Sequence, residues 1–530
     1  MDAKQTIESG KAVLGIEFGS TRIKAVLIDR AYRPVAQGSH EWENQFQDGL
    51  WTYSLEAVWS GLQQCYADLR EDVRKRYDAE IVNLAGIGIS AMMHGYMAFD
   101  AADRLLVPFR TWRNTNTGAA ARELSRCFRF NMPLRWSLSH LYQCILDGEP
   151  HVKDVVFLTT LAGYVHWKLT GRKVLGVGDA SGMMPIDAST GDFDKKRIAL
   201  FDKLVEPKDY PWKLEDILPR VLSAGAPAGV LTEEGARCLD ISGHLKPGIP
   251  FCPPEGDAGT GMVATNAVRP RTGNVSAGTS SFSMIVLEKD LSKPNEMIDI
   301  VTTPDGAPVA MVHCNNCTSD LNAWVNLFKE YQQLLGVPVD MNEVFGKLYN
   351  HALDGDPDCG GLVAFNYFSG EPVTGLAEGR PLFVRNSLDK FTLANFMRAH
   401  LYASVGVLKI GNDVLFKEEH VKVDRITGHG GLFKTPGVGQ RVLAAALASS
   451  ISVMETAGEG GAWGIALLAS YAVDREPGQS LPDFLEQVVF KDMKAVEIVP
   501  AAEDIEGFDA WIAQYISCLP VEEAAVKNKL

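Results

Sequence analysis

Cysteine is scarce. There are nine in 530 residues, at positions 65, 127, 144, 238, 252, 314, 317, 359 and 518. So few, and an odd number, exclude a full disulfide framework and fit a reducing compartment. No apolar run approaches the ~18 residues of a membrane-spanning helix. The opening stretch MDAKQTIESGKAVLG has no apolar core ahead of a small-residue cleavage site, so no secretory signal is read and a cytoplasmic location is expected. Positive charge is also in short supply: 51 Lys and Arg stand against 66 Asp and Glu, for a net charge of −15. Neither nucleic acid nor an anionic membrane is an expected partner, and an anionic ligand must be met by locally placed donors. The P-loop pattern GxxxxGK[ST] is missing too. What remains is 46% apolar and 22% charged, the composition of a globular chain with large cores.

In VLGIEFGSTRIKAVLID, residues 13–29, three small residues interrupt an apolar run. Val13, Leu14 and Ile16 read as one buried strand, and residues 23–28 as a second. Gly19-Ser20-Thr21 is then a turn rich in backbone N–H groups and hydroxyls, able to let a phosphate approach the main chain; an ordinary hairpin reads the same way. A third strand is expected over residues 35–42. SLEAVWSGLQQCYADLREDVRKRY follows with helical spacing and Ser54 as its cap, and IVNLAGIGIS is a further buried strand. Three strands, a helix and a strand predict an α/β domain with a mixed sheet.

The same grammar returns about 260 residues downstream. In GNVSAGTSSFSMIVLEK a strand ends in Gly278-Thr279-Ser280 and a second strand follows. SDLNAWVNLFKEYQQLLG then reads as a helix, with Asp320 as its cap and Leu321, Trp324, Leu327, Phe328 and Tyr331 on one face. Two copies of one device predict two similar α/β domains, each turn facing a shared cleft. Just ahead of the second hairpin, EGDAGTG places Asp257 among glycines. A carboxylate so exposed to a ligand suits transfer of a phosphoryl group to an alcohol, which needs a group to orient the hydroxyl and accept its proton. A turn aspartate in a glycine-rich loop is the plainer alternative.

The paired hairpins resemble the actin-like ATPase (ribonuclease H-like) fold, and the chain from about residue 12 to 475 resembles the FGGY family of carbohydrate kinases. GIEFGSTRIK is similar to the family's first phosphate motif and SAGTSS to its second. SAMMHGYMAFD resembles the Met-His-Gly sugar segment of xylulokinases. YVHWKLTGRKVLGVGDASGMMPID resembles the Leu-Thr-Gly and Asp-Ala-Ser-Gly segment, and EGDAGTG the catalytic Gly-Asp segment. GHGGLFKTPGVGQ resembles the adenosine loop and EGGAWGIALLASY the terminal Gly-Ala-rich helix. The resemblance lies in all seven, met in the family's order.

The resemblance implies an ATP-dependent kinase acting on a small-molecule ketose, a pentulose such as xylulose first, with Mg²⁺. Asp257 would be the general base. Gly19, Ser20 and Thr21 would approach the γ-phosphate, and Gly278, Thr279 and Ser280 the β-phosphate. Gly430 and Gly431 would line the adenosine pocket, and Met93, His94, Trp112 and Asn114 the sugar site. Glu17, where relatives usually carry aspartate, would hold Mg²⁺ through water. Asn114 and Asn116 replace the Asp and Arg many relatives carry after the Trp, and Gly370-Glu371-Pro372 lacks the arginine of their Gly-Glu-Arg. Both changes allow a sugar other than D-xylulose. Dimers are common in the family, which leaves a homodimer open. A sugar-independent actin-like ATPase and a catalytically weak sugar sensor are the alternative readings. The implied domains are 1–264, 265–490 and a helical extension 491–530, with a helix over residues 505–516 and a frayed tail. Cys314-Asn-Asn-Cys317 has no second CxxC to complete a zinc site and is read as structural, and His429 is left between touching nucleotide and filling a turn.

Overall fold

A computed structural model describes residues 2–456 and 458–528. The chain divides into two compact units. The first comprises Met1–Val268, Asp299–Val309 and Glu459–Asp492, and the second Arg269–Ile298, Ala310–Gly458 and Met493–Leu530.

In the first unit the opening hairpin is β1 (Val13–Phe18) and β2 (Arg22–Ile28), followed by β3 (Pro34–Glu41). Helix α1 (Leu55–Tyr77) leads to β4 (Gly86–Ala91), and the two-residue β5 (Glu255–Gly256) runs straight into helix α2 (Asp257–Ala264). The sheet order is β5-β4-β1-β2-β3. β1 is antiparallel to β2 and parallel to β4, so the sheet is mixed, as its sequence predicts. Ser54 caps α1 by accepting from the Ala57 N–H, and Val58, Leu62, Cys65, Leu69 and Val73 form its buried stripe. On β3, Gly38 brings the sheet close beneath that stripe: a Cβ there would lie 2.3 Å from the Cys65 carbonyl.

The Gly-Ala-rich helix Gly460–Asp474 belongs to this first unit, although the sequence places it in a second, contiguous domain. Glycines on both partners explain the placement. A Cβ on Gly15 of β1 would stand 2.0 Å from the Ala462 carbonyl, and one on Gly464 would stand 2.0 Å from the Thr260 carbonyl of α2. Backbone-to-backbone approach of this kind is available only where both surfaces lack side chains.

The second unit repeats the hairpin as β6 (Thr272–Ala277) and β7 (Ser281–Val286), antiparallel in register Ala277↔Ser281. After helix α3 (Ser319–Leu334) and the long buried helix α4 (Leu393–Asp413), β8 (Arg425–His429) returns parallel to β6. β9 (Ile451–Met454) and β10 (Ala495–Ile498) complete the run β7-β6-β8-β9-β10.

Three local expectations change. Thr318, not Asp320, is the N-cap of α3; Asp320 lies in the first turn with its carboxylate 3.2 Å from the His400 ring. Only part of the expected apolar face of α3 is covered. Leu321 and Val325 are buried and Trp324 packs edge-on to Phe396, 4.9 Å between ring centres, while Leu327 and Tyr331 are more than half exposed, because α4 covers one narrow stripe. The final helix α5 (Ala502–Lys527) continues past the expected end. Buried Glu522 fastens its last turns by accepting from the Arg380 N–H at 2.5 Å. No helix of the described residues is long and apolar enough to cross a membrane.

Candidate active site

The first turn, Gly19-Ser20-Thr21, is held by side chains from three other segments. The Trp42 indole N–H donates to the Gly19 carbonyl at 2.7 Å, and the Tyr53 hydroxyl to the Ser20 carbonyl at 2.6 Å. The Trp112 indole N–H donates to Ser20 Oγ at 3.2 Å. Trp42 and Tyr53 stack with ring centres 4.1 Å apart, so the two donors brace one another. Trp112 is thus tied to this turn.

Carboxylates gather beside this turn. Glu17 is the penultimate residue of β1 and Asp257 opens α2, where the helix N-terminus favours its charge. Burial and the neighbouring Asp257 carboxylate push the Glu17 pKa up to about 7, against the opposing pull of Lys24 and the Ala462 N–H. Burial raises Asp257 to about 6, although the Met93 N–H donates to its Oδ1 at 3.2 Å. Asp179, from the Asp-Ala-Ser-Gly segment, is raised to about 7 by burial and by Asp257; Thr160 donates to its Oδ2 while Oδ1 has no partner. Glu255 lies behind it, accepting from the Gly178 and Asp179 N–H groups, and burial beside Asp179 raises it strongly. Lys24 is itself paired, 3.7 Å from Glu459 Oε2. A set of oxygen donors with this much uncompensated negative charge fits a hydrated divalent cation, and Glu17 and Asp257 are the two that would hold it. The longer Glu17 side chain has room because the helix beside it starts Gly460-Gly461: a Cβ on Gly461 would fall 2.3 Å from Glu17 Oε1.

The Met93 N–H reaches Asp257, and Met93 also packs beside Gly256. A Cβ on Gly256 would strike Met93 Cγ at 2.1 Å, so glycine there lets the thioether wall pack against the loop carrying Asp257. His94 adopts a left-handed backbone, φ 70°, unusual outside glycine. Its Nδ1 lies 3.1 Å from the Gly182 carbonyl. Nδ1 therefore donates to that carbonyl, and where the ring is neutral Nε2 is the acceptor. Asn114 is engaged by backbone: its Oδ1 accepts from the Trp51 N–H, and its Nδ2 donates to the Trp51 and Thr111 carbonyls. Both amide hydrogens are spent there, so Asn114 pins the segment at Trp51.

In the second unit, the turn Gly278-Thr279-Ser280 is held from the start of α3. The Cys317 N–H donates to the Thr279 carbonyl at 3.0 Å, and both the N–H and the hydroxyl of Thr318 donate to the Gly278 carbonyl. Glu371 supports that segment from behind: its Oε2 accepts from the Asn315 and Asn316 N–H groups and the Asn316 amide, and burial raises its pKa to about 7. The Gly-Glu-Pro departure thus leaves a glutamate with a structural task. Gly430, at φ 104°, packs its backbone on the end of β6, where a Cβ would lie 2.6 Å from the Ala277 carbonyl. Gly431 follows on the same side with more open space. His429 is half-buried, its Nε2 lacks a partner, and desolvation lowers its pKa to about 4. Cys314 and Cys317 are buried free thiols, in keeping with a structural reading.

Sequence reasoning missed Trp42, Tyr53, Asp179, Glu255 and the task of Glu371. Asp179, Glu255 and Glu371 had a signal, each lying inside a segment already singled out; Trp42 and Tyr53 are joined to the turn only by folding. A Cys144, Glu149 and His151 cluster has ligand atoms within 4.8 Å of one another. The Arg110 guanidinium already lies 3.0 Å from Cys144 Sγ and 2.5 Å from Glu149, supplying the positive charge a metal would bring.

Residues 12–263 match the N-terminal domain, and residues 273–473 the C-terminal domain, of the FGGY family of carbohydrate kinases. Xylulose kinase of Haemophilus influenzae is 24% identical over 497 residues, covering 84% of this chain and 91% of that one. Xylulose kinase of Lactococcus lactis is 21% identical over 523 residues and 94% of each chain. The solved structure of ligand-bound xylulose kinase from Lactobacillus acidophilus superposes with a TM-score of 0.78 over 98% of this chain and 99% of that one, at 17% identity, a likeness of fold.

Proposed function

The chain belongs to the FGGY family of carbohydrate kinases, and from that premise we propose that it transfers the γ-phosphoryl group of ATP to a hydroxyl of a pentulose such as xylulose, with Asp257 as general base. The observation that carries the reading is the bond from the Met93 N–H to Asp257 Oδ1, which ties the sugar segment to the acid. In this reading the Asp257 carboxylate, held also by the backbone N–H groups at the start of α2, meets a sugar hydroxyl. A carboxylate with a pKa near 6 is deprotonated at neutral pH yet basic enough to take a proton as the oxygen attacks.

In the proposed step the sugar O–H proton passes to Asp257 and the oxygen bonds to the γ-phosphorus. The bond from that phosphorus to the bridging oxygen breaks, and ADP leaves. Met93 supplies an apolar wall, and His94 Nε2 accepts from a sugar hydroxyl and so orients it. Gly19, Ser20 and Thr21 receive the γ-phosphate; Gly278, Thr279 and Ser280 receive the β-phosphate; Gly430 and Gly431 leave room for adenosine. Mg²⁺, held through Glu17 and Asp257, would neutralise phosphate charge.

The test is release of ADP from Mg-ATP against a panel of pentuloses, hexuloses, alditols and sugar acids. Turnover that depends on one sugar, D-xylulose first, is expected. ADP release indifferent to every sugar would replace this reading with that of an ATPase.

A further inference from the structure

Trp42, Tyr53 and Trp112 come from separate segments, yet each directs an N–H or O–H at an acceptor of the first turn: the Gly19 carbonyl, the Ser20 carbonyl and Ser20 Oγ. The consequence is geometric. All peptide bonds among the described residues are trans, so each C=O points opposite to the following N–H. Drawing the Gly19 carbonyl towards Trp42 turns the Ser20 N–H to the other side, and drawing the Ser20 carbonyl towards Tyr53 does the same for the Thr21 N–H. Trp112 acts on the hydroxyl. An indole N–H only donates, so Ser20 Oγ must accept from it and keeps its own proton to give away. A hydroxyl that accepts one bond is also a better donor in the next. The donors are rigid: Trp42 and Tyr53 are 7% and 2% exposed and stacked on each other. A terminal phosphoryl group offers acceptors only.

We propose that Trp42, Tyr53 and Trp112 are positioning residues that leave the Ser20 and Thr21 N–H groups and the Ser20 hydroxyl as donors for the terminal phosphoryl group, the Gly19 N–H being held by the Arg22 carbonyl and Trp112 working through Ser20 Oγ. This rests on the kinase reading above. It would explain how a chain of net charge −15 receives a polyanion beside its own carboxylates.

The experiment is a double-mutant cycle on the full chain: Trp112→Phe, Ser20→Ala and both together, with Tyr53→Phe as a second, ring-conserving variant. Three quantities are read: the affinity of a non-hydrolysable ATP analogue relative to ADP by calorimetry, kcat, and the sugar KM. Trp112→Phe should lower the preference for the analogue over ADP, and kcat, by about tenfold. ADP affinity and the sugar KM should stay within about twofold, and the loss should vanish when Ser20 is already alanine. Tyr53→Phe should lower the same preference whether or not Ser20 is present. A raised sugar KM with unchanged analogue preference, or additive losses in the cycle, would overturn the proposal and leave the kinase intact. If the unaltered protein neither prefers the analogue over ADP nor turns over any sugar, the kinase reading falls first, and the proposal with it.

Discussion

The two phosphate turns share one topology and differ in what holds them. Each joins an antiparallel pair of strands whose first member is also paired in parallel with a later strand. Each has its carbonyls drawn off by protein donors. At residues 19–21 aromatic side chains from other segments meet the Gly19 and Ser20 carbonyls and the Trp42 backbone N–H meets that of Thr21, and at residues 278–280 the donors are the backbone and one hydroxyl of residues 317 and 318. The larger difference is charge. The residue two before Gly19 is Glu17, with Asp257 and Asp179 near it; the residue two before Gly278 is Ser276. In the proposed reading both turns receive phosphate, and the base belongs to the copy with the denser cluster of carboxylates.

Removing the base should break this comparison most completely. Asp257→Asn keeps the shape, and so the Met93 N–H bond to a carbonyl oxygen, but cannot accept a proton. Sugar-dependent ADP release should fall about 10³-fold while calorimetric affinity for ADP stays within about twofold. Turnover within tenfold of the unaltered enzyme would mean that the carboxylates are not what sets the two units apart.

A smaller effect is expected from the second turn. Thr318→Val deletes the hydroxyl that donates to the Gly278 carbonyl at 2.8 Å but leaves the backbone donor in place. The KM for ATP should rise about threefold with kcat nearly unchanged, since one of two donors remains. A fall in kcat like that expected for Trp112→Phe would show that both turns, not the first alone, control the transferring group.

The smallest effect is one of stability. Glu17 and Asp179, raised to about 7, and Asp257, raised to about 6, bind protons more tightly folded than unfolded. From the ordinary carboxylate range up to those values the folded state holds more protons, so stability must fall as pH rises through that window. Thermal unfolding of the nucleotide-free protein should drop by on the order of 5 °C between pH 5 and pH 8. Asp179→Asn should flatten that drop more than Glu371→Gln, because Glu371 is the single raised carboxylate beside the second turn, and its three donors favour the charged form. A drop unchanged by Asp179→Asn would remove the first unit's acids as its cause.

Much of this site was legible in the chain. The turns at 19–21 and 278–280, the acid at 257 and the Met93-His94 pair are local patterns, because a turn or a helix start is set by neighbouring residues and leaves its mark on a few consecutive positions. Asn114 shows the limit of such reading. Its place after Trp112 suggested a sugar contact, but which groups its amide meets depends on Trp51, brought alongside only by folding. The same holds for α3, whose spacing marked an apolar face without revealing how narrow a stripe α4 would cover.

By itself the sequence determined two α/β units with a repeated hairpin, a family, and the short segments that carry the chemistry, since strand alternation, turn residues and motif order are properties of neighbours along the chain. Tertiary structure alone decided that the helix Gly460–Asp474 returns to lie on β1, that Glu17 has room beside Gly461, and that Trp42, Tyr53 and Trp112 converge on one turn. Those facts depend on backbone approaches and hydrogen bonds between residues tens to hundreds of positions apart, and no local pattern records them.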